Sequence, residues 1–159
     1  MTLELAGMFH VGMVVADVAE AMDDLGASLG MTWAPVQDRE ITVAYRGDVV
    51  TTPLTFTYSR HGPVHLELIS VAPGTPWDTP NAMHHVGFWA DDLRATLAEY
   101  VAGGMTLDVT YDDPSGEPVG FGYLLSPTGL RLEFVDSARR ADMEEWIGGS
   151  DSYPAVPGN

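Results

Sequence analysis

Apolar and polar positions alternate over residues 9–15, with Phe9, Val11, Met13 and Val15 in one parity and His10, Gly12 and Val14 in the other. A two-residue alternation predicts a half-buried strand. The period then lengthens. Val18, Met22, Leu25 and Leu29 fall at helical spacing, with Asp17 placed to cap the start and Gly30 to end it. The same succession returns further along, where His85, Gly87 and Trp89 alternate with His84, Val86 and Phe88. Asp91 and Asp92 then precede Leu93, Leu97, Tyr100 and Val101, and Gly103 and Gly104 end the run. Short β-rich runs follow each predicted helix: 31–36, 40–46, 53–59 and 64–71 in the first half, 105–111, 119–126 and 130–136 in the second. The turns lie at RHGP (60–63), DDPSGEP (112–118) and SPTG (126–129).

These successions are copies of one another. HVGMVVADV at 10–18 matches HVGFWADDL at 85–93, and HLELIS at 65–70 matches RLEFVD at 131–136. Self-similarity at a fixed offset decides architecture ahead of local propensity. The expected fold is α+β, with two tandem βαβββ modules forming a curved mixed sheet cup and helices on its outer face. Residues 1–72 form the first module, 73–82 a proline-bearing linker, and 83–137 the second module. A C-terminal helix over 138–149 and a flexible tail over 150–159 complete the chain.

Strand parity assigns the faces. The apolar parity of each anchor strand rests on a helix, which sends Phe9 and His84 toward the helices and turns His10 and His85 into the cup. The glycines two residues on leave room beside each imidazole. Glu67 shares a face with His65 and Ile69, and Glu133 with Arg131 and Val135, while leucines and Phe134 occupy the opposite parity. A carboxylate buried without a partner costs several kcal/mol, so each glutamate needs a cation or a metal. The repeat supplies two histidines and two glutamates at equivalent places. Imidazole and carboxylate together suit a divalent ion, with zinc, nickel, cobalt, manganese and iron not distinguished. Four protein ligands on a six-coordinate ion leave two neighbouring positions for a substrate presenting two oxygens.

Composition narrows the partners. The chain has 23 acids, seven arginines and no lysine, for a formal charge of −16. That balance argues against nucleic acid and anionic membranes as partners, and leaves little to hold a polyphosphate tail. There is no cysteine, so a metal must use histidine and carboxylate. No apolar run approaches the ~18 residues of a membrane span, and the N-terminus lacks the layout of a secretory signal, so a cytoplasmic location is expected.

On FHVGMVVADV, HLELIS, HHVGFWADDL and SPTGLRLEFVD, the chain resembles the vicinal oxygen chelate superfamily, which includes glyoxalase I, methylmalonyl-CoA epimerase, extradiol dioxygenases and bleomycin resistance proteins. The resemblance covers residues 8–136. Carried over position by position, it places the metal ligands at His10, Glu67, His85 and Glu133, an order that resembles bacterial-type glyoxalase I and the epimerases. It implies a metal-dependent isomerase, epimerase or lyase that moves a proton beside a carbonyl and stabilises the enolate on the metal. Glu133 or Glu67 would be the base, and Glu40 a possible second acid. Alternatives within the resemblance are an iron-dependent ring-cleaving dioxygenase and a metal-free small-molecule binding or resistance protein. Trp89, His65, Arg131, Tyr123 and Phe121 are the expected substrate contacts. A small-molecule substrate and a homodimer are the expected partners, with the cup closed within one chain or across the dimer.

Overall fold

The computed structural model describes residues 2–154. The fold is α+β and is built from two βαβββ modules. The first comprises β1 (Met8–Val15), α1 (Val18–Leu29), β2 (Gln37–Tyr45), β3 (Asp48–Tyr58) and β4 (His65–Ser70). The second comprises β5 (Asn81–Ala90), α2 (Leu93–Ala102), β6 (Thr106–Tyr111), β7 (Phe121–Leu125) and β8 (Arg131–Asp136). A 3-10 turn over Ser137–Arg139 leads into α3 (Arg140–Ile147). The strands form one curved mixed sheet that closes on itself in the order β1-β4-β3-β2-β6-β7-β8-β5.

The closure follows from the repeat. In each module the first strand runs parallel to the last, β1 beside β4 and β5 beside β8, and the modules then join antiparallel along β1 and β5. The caps read from sequence are in place. Asp17 accepts from the Glu20 amide and Asp92 from the Ala95 amide, while Gly30 adopts the left-handed conformation that ends α1.

Two apolar clusters result. One lies on the outer face, where Leu93 and Leu97 of α2 cover Phe88, Leu132 and Phe134. The other fills the inside of the sheet with Val14, Val43, Tyr58, Ile69 and Tyr123, and Met143, Trp146 and Ile147 of α3 join it. The third helix therefore packs onto the inner cluster, unlike α1 and α2. Among the described residues no helix is long and apolar enough to cross a membrane.

The structure departs from the sequence reading at several points. Residues 31–36 do not form a strand; they contribute a single bridge, Trp33 to Ser59. The lost strand is compensated by a longer β3, which begins at Asp48 because Arg46 and Gly47, with φ of 52° and 89°, make a two-residue hairpin turn. Pro53 is tolerated inside β3 because β3 pairs only with β2 at that level and reaches β4 from Phe56 onward. Leu29, at the end of the α1 stripe, is exposed.

The linker is packed: Trp77 is buried, the Ala72 amide donates to the Trp77 carbonyl, and β5 already begins at Asn81. The tail is anchored as far as it is described, with Tyr153 against Phe56 and Trp146 and with Pro154 buried. Residues 155–159 of the expected flexible tail lie outside the described residues. Phe9 also departs from strict alternation. The β1–β5 register shifts between Met8 and His10, and Phe9 turns inward to stack on Trp89 at 3.9 Å.

Candidate metal centre and cavity

The register places the four candidate ligands on two lines across the sheet. On one, Gly12 of β1 stands between Glu67 of β4 and His85 of β5; on the other, Gly87 of β5 stands between His10 of β1 and Glu133 of β8. Each glutamate and histidine therefore reach toward one another over a glycine. A Cβ at Gly12 would fall within the His85 imidazole, and one at Gly87 within the His10 imidazole. The clearance is reciprocal: each glycine makes room for the histidine of the other module.

Over those glycines four donor atoms converge within one chain. His10 Nε2 lies 2.7 Å from Glu133 Oε2 and 3.5 Å from Glu67 Oε2; His85 Nε2 lies 3.0 Å from Glu67 Oε2 and 3.2 Å from Glu133 Oε2. The two Nε2 atoms are 2.9 Å apart. All four residues are buried. Despite this proximity, both Oε2 atoms lack a hydrogen-bond partner. Bonds of ~2.0 to 2.2 Å to one zinc-sized ion set neighbouring donors roughly 3 Å apart, so the donor set, its spacing and its unsatisfied oxygens fit a divalent ion.

The electrostatics agree. Burial opposes charge on His85, but the close approach of the Glu133 and Glu67 carboxylates and their charge raise its pKa to about 9. Burial would raise the Glu133 carboxyl; the close approach and charge of His10 and His85 outweigh it and hold the carboxyl below its usual range. A cation is thus favoured at the centre, whether proton or metal.

His84 requires a correction. It does not point to the helices. The β1–β5 register shifts again between Gly12 and Val14, ahead of Asn81, so strict alternation fails there. Its ring lies beside His85, with Nδ1 facing His85 Nδ1 at 2.9 Å and Nε2 facing the Pro76 carbonyl at 2.8 Å. If His85 presents Nε2 to the centre, its Nδ1–H donates to His84, and His84 Nε2–H donates to Pro76. Arg131 Nη1 approaches that same Nε2 at 2.7 Å and is then a close neighbour with no lone pair to donate to. Burial, His85 and Arg131 together lower the His84 pKa to about 3, so the ring is neutral and able to accept. Such a partner orients a ligating imidazole.

Below the donors opens a cavity of about 540 Å³, counting its mouth. Phe121 and Tyr123 line it, with Glu67 and Glu133 at one side. The other expected substrate contacts do not. Trp89 is stacked on Phe9; His65 Nδ1 bonds the Ser59 carbonyl at 2.6 Å; Arg131 grips buried Asp108 through Nε at 3.1 Å and Nη2 at 3.0 Å. Glu40 is exposed on the outer face of β2.

Sequence reasoning missed Tyr58, Trp77 and Arg139, which also line the cavity. The parity of Leu54, Phe56 and Tyr58 would have found the first. Burial and the charge of Glu67 and Glu133 raise the Tyr58 hydroxyl well above its ordinary pKa, so it stays protonated and can donate into the cup. Trp77 donates to the Tyr123 hydroxyl at 3.3 Å. Trp77 and Arg139 lie outside the repeat and carried no periodic signal.

A profile of the Glyoxalase/Bleomycin resistance protein/Dioxygenase superfamily matches residues 9–121, and the chain belongs to that superfamily. The matched stretch includes His10, Glu67 and His85; Glu133 lies beyond it. No curated protein matches. Among solved structures, the chain is similar to a hypothetical protein of Bacillus halodurans C-125, with a TM-score of 0.58, 15% identity and coverage of 81% of this chain and 92% of that one. It is similar to Streptomyces coelicolor methylmalonyl-CoA epimerase in complex with 2-nitronate-propionyl-CoA (TM-score 0.56, 18% identity, 82% and 94% covered). It is also similar to the Mycobacterium tuberculosis epimerase (TM-score 0.54, 16% identity, 85% and 92% covered). At these identities the likeness concerns the fold.

Proposed function

We propose that this protein is a metal-dependent isomerase, epimerase or lyase that moves a proton at a carbon beside a carbonyl of a small substrate. The observation that carries the reading is the convergence of His10, Glu67, His85 and Glu133 with two buried carboxylate oxygens that no hydrogen bond satisfies. His10, His85 and the two glutamates would hold the ion. A divalent ion held there would supply Lewis acidity to a substrate carbonyl oxygen.

The remaining chemistry belongs to the chain. Glu133 or Glu67 would take the proton from the carbon and return it, the exchange that a carboxylate performs as a general base. Tyr58 and Tyr123 are protonated and buried in the same cavity, able to donate to an oxygen on which negative charge develops. Methylmalonyl-CoA epimerase neighbours support the reaction class, while the lysine-free composition disfavours a coenzyme A tail. Against the dioxygenase reading stands the second carboxylate, since such sites use two histidines and one carboxylate.

Two assays test the reading. Metal analysis separates an enzyme of this kind from a metal-free binding protein. Solvent deuterium appearing at the α-carbon of 2-oxo or thioester compounds marks proton transfer; oxygen uptake with catechols would overturn it in favour of ring cleavage.

A further inference from the structure

Arg94, Arg131 and Arg140 pair with carboxylates. Arg139 does not. Its side chain is buried, only 8% exposed, and its Nε has no partner. Nη2 donates to the Pro154 carbonyl at 3.5 Å, the outer limit of a hydrogen bond, and the guanidinium lies 5.8 Å from the centre of the Tyr153 ring. Burial raises the Tyr111 hydroxyl, and Arg139 pulls it back down by charge and hydrogen bond. Among the described residues no carboxylate forms an ion pair with Arg139. Burying a guanidinium for so little return is costly, and a chain with 23 acids had counter-charges to offer. Gly120, with φ at 70°, clears the Tyr111 ring beside it: a Cβ there would press on Tyr111 at 2.9 Å and touch Arg139 Nη1 only at ordinary contact distance, 3.4 Å.

Arg139 lines the same cavity as Glu67 and Glu133, and among the described residues no other lysine or arginine does so. The charges can be counted. A divalent ion cancels the two glutamates, and the ligating imidazoles are neutral, so the loaded cavity keeps the single positive charge of Arg139. A neutral substrate leaves that charge buried and unpaired, whereas a monoanion cancels it.

We propose that Arg139 receives a carboxylate of the substrate, so that the compound carries its two metal-seeking oxygens at one end and a single negative charge away from them. A planar guanidinium matches the two oxygens of a carboxylate. This assignment rests on the metal reading of the site. It narrows the substrate class to small carbonyl acids and gives a partner to the one arginine in a lining whose other charged groups are Glu67 and Glu133.

The test uses the zinc-loaded full chain and two isosteric chelating probes, 3,4-dihydroxybenzoate and 3,4-dihydroxybenzamide, with binding followed by calorimetry. The benzoate is expected to bind at least about tenfold tighter than the amide, as a charge-assisted pair predicts. Arg139→Met should erase that preference while leaving amide affinity and zinc stoichiometry unchanged. A purely structural role for Arg139 would instead weaken both probes together. Equal binding of the two probes to the wild type overturns the assignment without recourse to any variant, as does a preference that survives in Arg139→Met. Should that variant misfold, Arg139→Lys, which keeps charge but not the paired donors, is expected to retain only part of the preference; an undiminished preference there counts against carboxylate recognition. A chain that takes up no zinc contradicts the metal reading and this assignment with it. A chain that takes up zinc and shows no preference contradicts only the carboxylate site.

Discussion

Gly87→Ala is expected to disable the metal centre by a single methyl group. The added Cβ would lie inside the His10 imidazole, where real Cβ atoms keep at least 3.0 Å from their neighbours. Restoring ordinary carbon contact at ~3.5 Å moves the ring by more than about 1 Å, while metal-ligand distances tolerate only about 0.2 Å. His10 therefore cannot remain a ligand. Changes to residues that merely orient a ligand cost about 10- to 100-fold in metal affinity, so displacing the ligand itself should cost at least about 100-fold, or about 2.7 kcal/mol. Overpacking should also destabilise the metal-free chain by roughly 1–3 kcal/mol. Competition with a chromophoric zinc chelator reads the affinity, and circular dichroism reads the fold. Gly122→Ala is the control, since its Cβ would press on Leu97 at 2.6 Å, on the α2 side and away from the centre. It should lose comparable stability and keep its zinc affinity. Gly87→Ala binding zinc as the wild type does would refute the reasoning.

Further outcomes are expected. His84→Ala should weaken zinc binding by about 10- to 100-fold by freeing the His85 ring, read by the same competition assay. In the metal-free protein His85 holds its proton up to a pKa of about 9, and an ion must displace it. Apparent zinc affinity should therefore rise about tenfold per pH unit up to that value and level off above it, with one proton released per ion below it. Arg131→Met leaves Asp108 buried and unpaired, and should cost about 3–5 kcal/mol in urea unfolding.

The four candidate ligands were legible as a set because a duplicated strand pattern writes its own control: His10 is informative through His85, and Glu67 through Glu133, and the structure brings the four together. The glycines carried the same information twice over. What alternation could not supply was the register shifts in β1 and β5, which turn Phe9 inward and set His84 against His85. A bulge adds one residue to a strand without any mark in its hydrophobic pattern. The expected run over 53–59 left out the first five residues of β3, because Asp48–Thr52 lie before Pro53, a residue usually kept to strand starts and edges. Trp77, Arg139 and Tyr153 come from the linker and the C-terminal segment, which have no counterpart in the repeat. Their roles depend on how those segments fold back over the cavity. Trp89, His65 and Arg131 have the parity expected of the cup but are engaged by nearer partners.

The most direct measurement is zinc stoichiometry, by calorimetry and elemental analysis, on metal-stripped wild type and Glu133→Ala. One ion per chain in the wild type, lost in the variant with circular dichroism unchanged, is the predicted result. A wild type that takes up no ion, or a Glu133→Ala protein that remains fully loaded, would contradict a metal centre at His10, Glu67, His85 and Glu133.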